Sequence, residues 1–245
     1  MAAIIAAAAQ PPALPPRTVW LSGNSGAGKT FVGDYLARVC SFHHVEGDAA
    51  MFSSSAAERA EFACFVQAFD FWFKGEPAPP ALWHAYLERQ VAAVRAARAA
   101  GRAHVVVSLT VYHREARDFL RERLPDHEFI VLRCSPEELV RRARVRFGEY
   151  AAVCGQSFEA CFESNYKEPF SDAAFEAQTR RIMHGLQPLA PDEACTHELD
   201  VTDGAPWRVL HALLGLAPPP QDSEIPYEEI ARTNYARFKA PPKAE

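Results

Sequence analysis

The sequence predicts an α/β fold: a five-stranded parallel sheet with helices on both faces. Two observations carry that expectation. Short apolar runs alternate with helical patterns along the 245 residues, as in sheets buried on both sides and joined by helical crossovers. A glycine-rich segment, Gly23-Asn24-Ser25-Gly26-Ala27-Gly28-Lys29-Thr30, also separates the first apolar run from the first helical stretch. Strand, glycine loop and helix in that order put a helix N-terminus at the end of a buried strand.

The elements follow in chain order. Thr18-Val19-Trp20-Leu21 is the first strand, and residues 31–39 form a helix with Phe31, Tyr35 and Val39 along one face. Residues 42–46 are the second strand, ending at Gly47-Asp48. Two helical segments, 56–73 and 80–100, are separated by Lys74-Gly75-Glu76-Pro77, and Gly101 ends the second. His104-Val105-Val106-Val107-Ser108 reads as a buried strand, followed by an Arg-rich helix over 113–124. Phe129-Ile130-Val131-Leu132 is the fourth strand. Ser135-Pro136-Glu137-Glu138 then opens a helix, with capping-box spacing and Pro at the first helical position. Glu198-Leu199-Asp200-Val201 is the last strand and 207–214 the closing helix. Pro218-Pro219-Pro220 ends the domain. The expected organisation is a disordered leader over 1–16, a domain over 17–217, and a polar, Pro-containing tail over 218–245 with a short helix near 227–238.

Composition narrows the function classes. A net charge of −5 disfavours a dedicated nucleic-acid binder, which concentrates Lys and Arg. No apolar stretch approaches bilayer length. The first residues lack the basic region of a secretory signal, so the expected compartment is the cytoplasm, with a plastid as the alternative. The six cysteines form no C-x-x-C and read as reduced thiols; Cys154 and Cys161 alone make a poor zinc site.

The glycine-rich segment fits G-x-x-x-x-G-K-[ST] at every fixed position, the phosphate-binding loop or Walker A motif. Its glycines let successive backbone N–H groups turn inward onto phosphate oxygens. Lys29 supplies a cation for the outer phosphates, and the Thr30 hydroxyl can ligate Mg²⁺. The expected ligand is a nucleoside triphosphate, and the fold class sharpens to the P-loop NTPase type. In such sheets ligands sit at the carboxyl ends of the strands. Asp48 lies on that rim and is the candidate base for proton acceptance from an attacking hydroxyl; the alternative is a turn-forming Gly-Asp. Glu46 reads as structural. Arg114 and Arg117, three apart on one helix face, are candidates for an anionic substrate group, against solvated surface arginines. Arg141-Arg142-Ala143-Arg144-Val145-Arg146 is a basic run at an expected helix C-terminus. Within it, Arg142 and Arg146 are favoured as mobile-lid residues that neutralise a transferring phosphoryl group.

Taken together, these residues resemble the gluconokinases of the shikimate-kinase-like group of small P-loop kinases, over about 19–216. The phosphate loop followed by Val45-Glu46-Gly47-Asp48 is similar to that family's loop and its E-G-D-D-x-H-P segment. Thr110, Arg114, Arg117 and Asp118 fall on the Ser, two Arg and Asp of A-C-S-A-L-K-R-x-Y-R-D. Arg142, Arg144, Arg146, Gly148 and Tyr150 resemble the lid R-L-R-A-R-K-G-H-F. The resemblance implies a mobile lid, as in nucleoside monophosphate kinases, and ATP- and Mg²⁺-dependent phosphorylation of a small polar hydroxy acid. Asp48 would then be the base and Arg142 and Arg146 lid residues.

The departures fall on the acceptor side. Ala49-Ala50-Met51-Phe52 replaces the family's second Asp, His and Pro, His113 stands for a Lys, and Glu149 for the lid His. The stretch after the lid is lengthened, with residues 164–169 as its remnant. If Ala49, Met51, Phe52 and Tyr112 line the cavity, the acceptor is less polar than gluconate. The expected partner is a small-molecule acceptor, with neither nucleic acid nor membrane. A nucleotide kinase and a non-catalytic nucleotide-binding protein remain alternatives. A nucleic-acid-directed NTPase fits less well, because Ser108 stands where its acidic strand end would be.

Overall fold

Residues 15–193 and 196–230 are described by the computed structural model, the side chains of Phe52 and Val153 apart. The first strand, β1 (Arg17–Gly23), is buried from Thr18 onward. Its apolar side chains alternate between two cores, as a strand covered on both faces requires. Trp20 packs with Val105, Val107, Phe129 and Val131 on one side. Val19 and Leu21 pack with Val106, Ile130 and Leu132 on the other.

The remaining strands are β2 (His43–Glu46), β3 (His104–Ser108), β4 (His127–Arg133) and β5 (Thr196–Asp200). All pair in parallel, in the order β2-β3-β1-β4-β5. The first core lies beneath α2 (Ala56–Trp72), α3 (Pro80–Ala99) and α4 (Arg114–Arg123). The second lies beneath α1 (Lys29–Val39) and α8 (Trp207–Leu213). This is the predicted P-loop α/β architecture, five parallel strands with helices on both faces.

Three places differ from the sequence reading. The basic run 141–146 sits inside α5 (Pro136–Val153), not at its end, because the chain stays helical through Gly148 and takes a positive φ only at Gly155. The lengthened stretch after the lid is two further helices, α6 (Phe158–Tyr166) and α7 (Asp172–His184), each capped by a serine side chain, Ser157 and Ser171. Phe147 of α5 sits at the centre of a separate aromatic cluster with Phe158, Phe162, Tyr166 and Phe175, so the lid region carries its own small core.

The third difference is the carboxyl-terminal boundary. Packing continues past Pro220: Ile225 and Ile230 are buried in the second core. The Tyr227 ring stacks on Phe31, and its hydroxyl accepts from Trp207 Nε1 at 2.7 Å. A helical turn opens at Tyr227. Its expected continuation to Phe238, most of the leader, Cys195 and the end of the tail lie outside the described residues.

Candidate active site

The loop between β1 and α1 has the backbone its glycines permit. Gly26 and Gly28 take φ +87° and +91°, left-handed values that only glycine adopts cheaply. Gly23 is required for space as well, since a Cβ there would meet the Leu132 carbonyl oxygen at 2.5 Å. Lys29 folds back over the loop and donates to the carbonyls of Gly23 and Asn24 at 3.1 and 3.0 Å. Desolvation lowers its ammonium from the ordinary value to about 8, with Asp48 opposing the drop and Arg146 adding to it. An incoming polyphosphate would replace two neutral carbonyls with a full counter-charge.

Thr30, Lys29 and Asp48 line one cavity of about 870 Å³ together with Glu46, Arg142 and Arg146. Asp48 follows β2 through a fixed backbone. The Gly47 N–H donates to the Ser108 carbonyl at 3.0 Å, the Tyr86 hydroxyl donates to the Gly47 carbonyl, and the Asp48 N–H donates to Glu46 Oε1 at 3.3 Å. Burial first, then the Glu46 carboxylate, push the Asp48 carboxyl above its ordinary range, while Lys29 and Arg146 pull it back. A carboxylate so placed holds a proton more readily than an exposed one, which suits it to accept one from a neighbouring hydroxyl.

Glu46, read as structural from the sequence, proves to face the cavity. Its Oε1 accepts from Ser108 Oγ at 3.2 Å, and Ser108 Oγ lies 2.8 Å from His44 Nε2. His44 Nδ1 in turn lies 2.8 Å from Asp34 Oδ1 on α1. This buried chain ties the phosphate-loop helix to the rim of β2 and fixes where the Glu46 carboxylate points. The clue in the sequence was polar character at His44, Glu46 and Ser108, with Ser108 opposite Glu46 in the parallel register of β2 and β3.

The arginines divide. Arg146 Nη1 lies 3.4 Å from Ser25 Oγ of the phosphate loop, so α5 brings it over the glycine-loop end of the cavity. Arg142 also lines the cavity, but it is pinned: Nε donates to Glu138 at 2.7 Å and Nη2 to the carbonyls of Val201 and Thr202 at 2.7 and 3.1 Å.

Arg114 and Arg117 do not reach the cavity. Arg117 is 1% exposed and forms a two-pronged pair with Glu193, at 2.8 and 2.7 Å. Arg114 pairs with Asp118 and Asp192. Their guanidinium groups clamp the segment before β5 onto α4, which corrects the expectation that they hold an anionic substrate group. Sequence reasoning missed this because Glu193 lies more than seventy positions away from its partners.

Thr30 at the start of α1 and the carboxylates of Glu46 and Asp48 offer hard oxygen donors, which suit Mg²⁺. Of the residues suspected of an apolar acceptor wall, Ala49, Met51 and Tyr112 do line the cavity; the Phe52 side chain is outside the described set. Phe62, Val66 and Phe69 of α2 join them, foreshadowed by their helical spacing on one face.

Parallel strands in this order, with the glycine loop after β1 and Asp48 after β2, define a P-loop α/β protein. No protein-family model matches the chain, and no curated protein matches it. Among solved structures 134 chains match. The chain is similar to a gluconokinase from Sinorhizobium meliloti 1021, with 21% identity over 91% of each chain and a TM-score of 0.42. It is similar to an unliganded sugar kinase from Janibacter sp. HTCC2649, with 20% identity over 93% of this chain and 97% of that one, TM-score 0.46. A shikimate kinase from Bacteroides thetaiotaomicron shares 18% identity over 82% of this chain and 99% of that one, TM-score 0.48. Among the described residues no helix is long and apolar enough to cross a membrane.

Proposed function

We propose that the protein transfers the γ-phosphoryl group of ATP to a hydroxyl of a small molecule. The observation that carries this reading is one cavity holding both a complete phosphate loop and a buried carboxylate, Asp48, held by its own backbone contacts. A nucleotide-binding module needs the first feature; a desolvated carboxylate facing the same space is explained by transfer chemistry.

The loop amides over 23–30 and the positive end of α1 would hold the phosphates, and Lys29 would leave its two carbonyls for the outer ones. Thr30 would hold Mg²⁺, which would supply charge neutralisation for the phosphates. Asp48 would orient the acceptor hydroxyl and take its proton. Arg146 would stabilise the charge on the transferring group, and Arg142 would hold α5 at the correct height above the loop. Residues of α5 and α6 line the cavity and would limit loss of the phosphoryl group to water.

The test is acceptor-dependent release of ADP from isotope-labelled ATP, screened across sugar acids, shikimate, nucleoside monophosphates and neutral alcohols. Turnover that Asp48→Asn removes without weakening ATP binding supports the reading. Folded protein that binds ATP and releases no ADP with any acceptor class argues for a non-catalytic binder.

A further inference from the structure

The chemistry of the cavity wall beyond Asp48 restricts what the site can accept. The strand order places the phosphate loop at the centre of the sheet and the residues following β2 and β3 toward one edge, beneath α2. On that side the cavity is lined by Met51, Phe62, Val66, Phe69, Leu109 and Tyr112. None of them carries a charge. The cations lining the cavity (Lys29, Arg141, Arg142 and Arg146) all come from the phosphate loop and α5. The charges carried on β2 and the turn after it are both negative, Glu46 and Asp48; the cation whose field reaches Tyr112 is Arg146, from α5. Arg114 and Arg117, which could have received an anion, are spent on Glu193, Asp118 and Asp192.

An acidic acceptor placed against this wall would give up water, meet two carboxylates, and find no cation from α2, β2 or β3. A neutral molecule with an aromatic or alicyclic body would instead bury apolar surface against Met51, Val66 and Phe69, backed by Phe62 and Tyr112, while presenting a hydroxyl to Asp48.

We infer that the acceptor is an uncharged alcohol carried on an aromatic or alicyclic body, and not a sugar acid. This rests on the kinase reading above and specifies its substrate class. The alcohol oxygen attacks the γ-phosphorus, and its proton passes to the Asp48 carboxylate. The bond from the γ-phosphorus to the bridging oxygen breaks with its electron pair leaving on ADP.

The test measures binding and turnover of naphthylethanol and cyclohexylmethanol beside gluconate and shikimate, on protein saturated with MgATP. Val66→Asp and Met51→Lys are made in parallel; these side chains are 40% and 41% exposed, so the fold tolerates the changes. MgATP affinity is measured on every sample. The neutral alcohols are expected to bind and release ADP, the acids are not, and each variant is expected to weaken the neutral alcohols tenfold or more. Preference for gluconate or shikimate overturns the inference and leaves the kinase reading intact. So does failure of both alcohols to bind protein that takes up MgATP, or equal binding by the variants. Absence of MgATP uptake removes the kinase reading itself.

Discussion

In the proposed transfer reaction, two titratable side chains would set the chemistry at the scale of single residues. Asp48 must be ionised to accept a proton, and its carboxyl is held above the ordinary range by burial. Lys29 must keep its proton to pair with phosphate, and burial brings it down to about 8. The expected kcat/KM profile is therefore a bell. Its acid limb should lie above the usual carboxylate range, and its alkaline limb should fall near 8. A pH–rate series on the wild type checks both limbs. Asp48→Asn should remove turnover and leave ATP affinity within about twofold, as measured by calorimetry. The same substitution should stabilise the protein. A carboxyl whose folded pKa is raised costs stability at every pH above its unfolded value, so removing the charge is expected to raise Tm at neutral pH, as read by thermal denaturation of the two proteins side by side.

At the scale of elements, α5 and α4 use arginine for opposite purposes. Arg146 on α5 reaches Ser25 of the phosphate loop, so Arg146→Ala should lower kcat by roughly 10²–10³ with a small change in ATP affinity. Arg117 on α4 is sealed against Glu193. Burial alone would raise the Glu193 carboxyl, but Arg117, the Ala190 amide and Arg121 outweigh it and bring it to about 2. A depressed carboxylate contributes stability that is present above its unfolded pKa and lost as pH falls from there toward 2. Glu193→Gln leaves the Arg117 cation buried without its counter-charge and should cost about 3–5 kcal/mol. Urea denaturation at neutral pH and at pH 3 should show most of that difference vanishing at the lower pH. These elements also mark where the sequence stopped being legible. Arg114 and Arg117 have the helical spacing of an anion site, and nothing local in the chain reveals that Asp192 and Glu193 already occupy them. The helices α6 and α7 escaped notice because their aromatic residues pack on one another rather than on the sheet, so no strand flanks them.

At the scale of the whole molecule, the sheet was readable because its information is local: each buried strand is a short apolar run, and the glycine loop fixes which comes first. Strand boundaries moved by one or two residues, as at β5, which begins at Thr196. The phosphate end of the site was readable for the same reason, since Gly23 to Thr30 are contiguous. The acceptor end was not, because Met51, Phe69 and Tyr112 meet only after α2 folds over two strands. The C-terminal segment through Ile230 was taken for a tail because its prolines and acidic residues hide Ile225 and Ile230, which complete the second core. Because the proposed ligand binds only the folded chain, MgATP at a hundredfold above Kd should add about 2.7 kcal/mol of stability, a rise in Tm of roughly 5–10 °C by differential scanning fluorimetry.

The nest of amides over 23–30 is what every other assignment depends on, and titration calorimetry with MgATP on the wild type and Lys29→Ala addresses it directly. One magnesium-dependent nucleotide site per chain is predicted, weakened about 10- to 100-fold in Lys29→Ala by loss of one charge-assisted contact. Well-folded wild-type protein that takes up no nucleotide, or a Lys29→Ala variant that binds as tightly as the wild type, would contradict it.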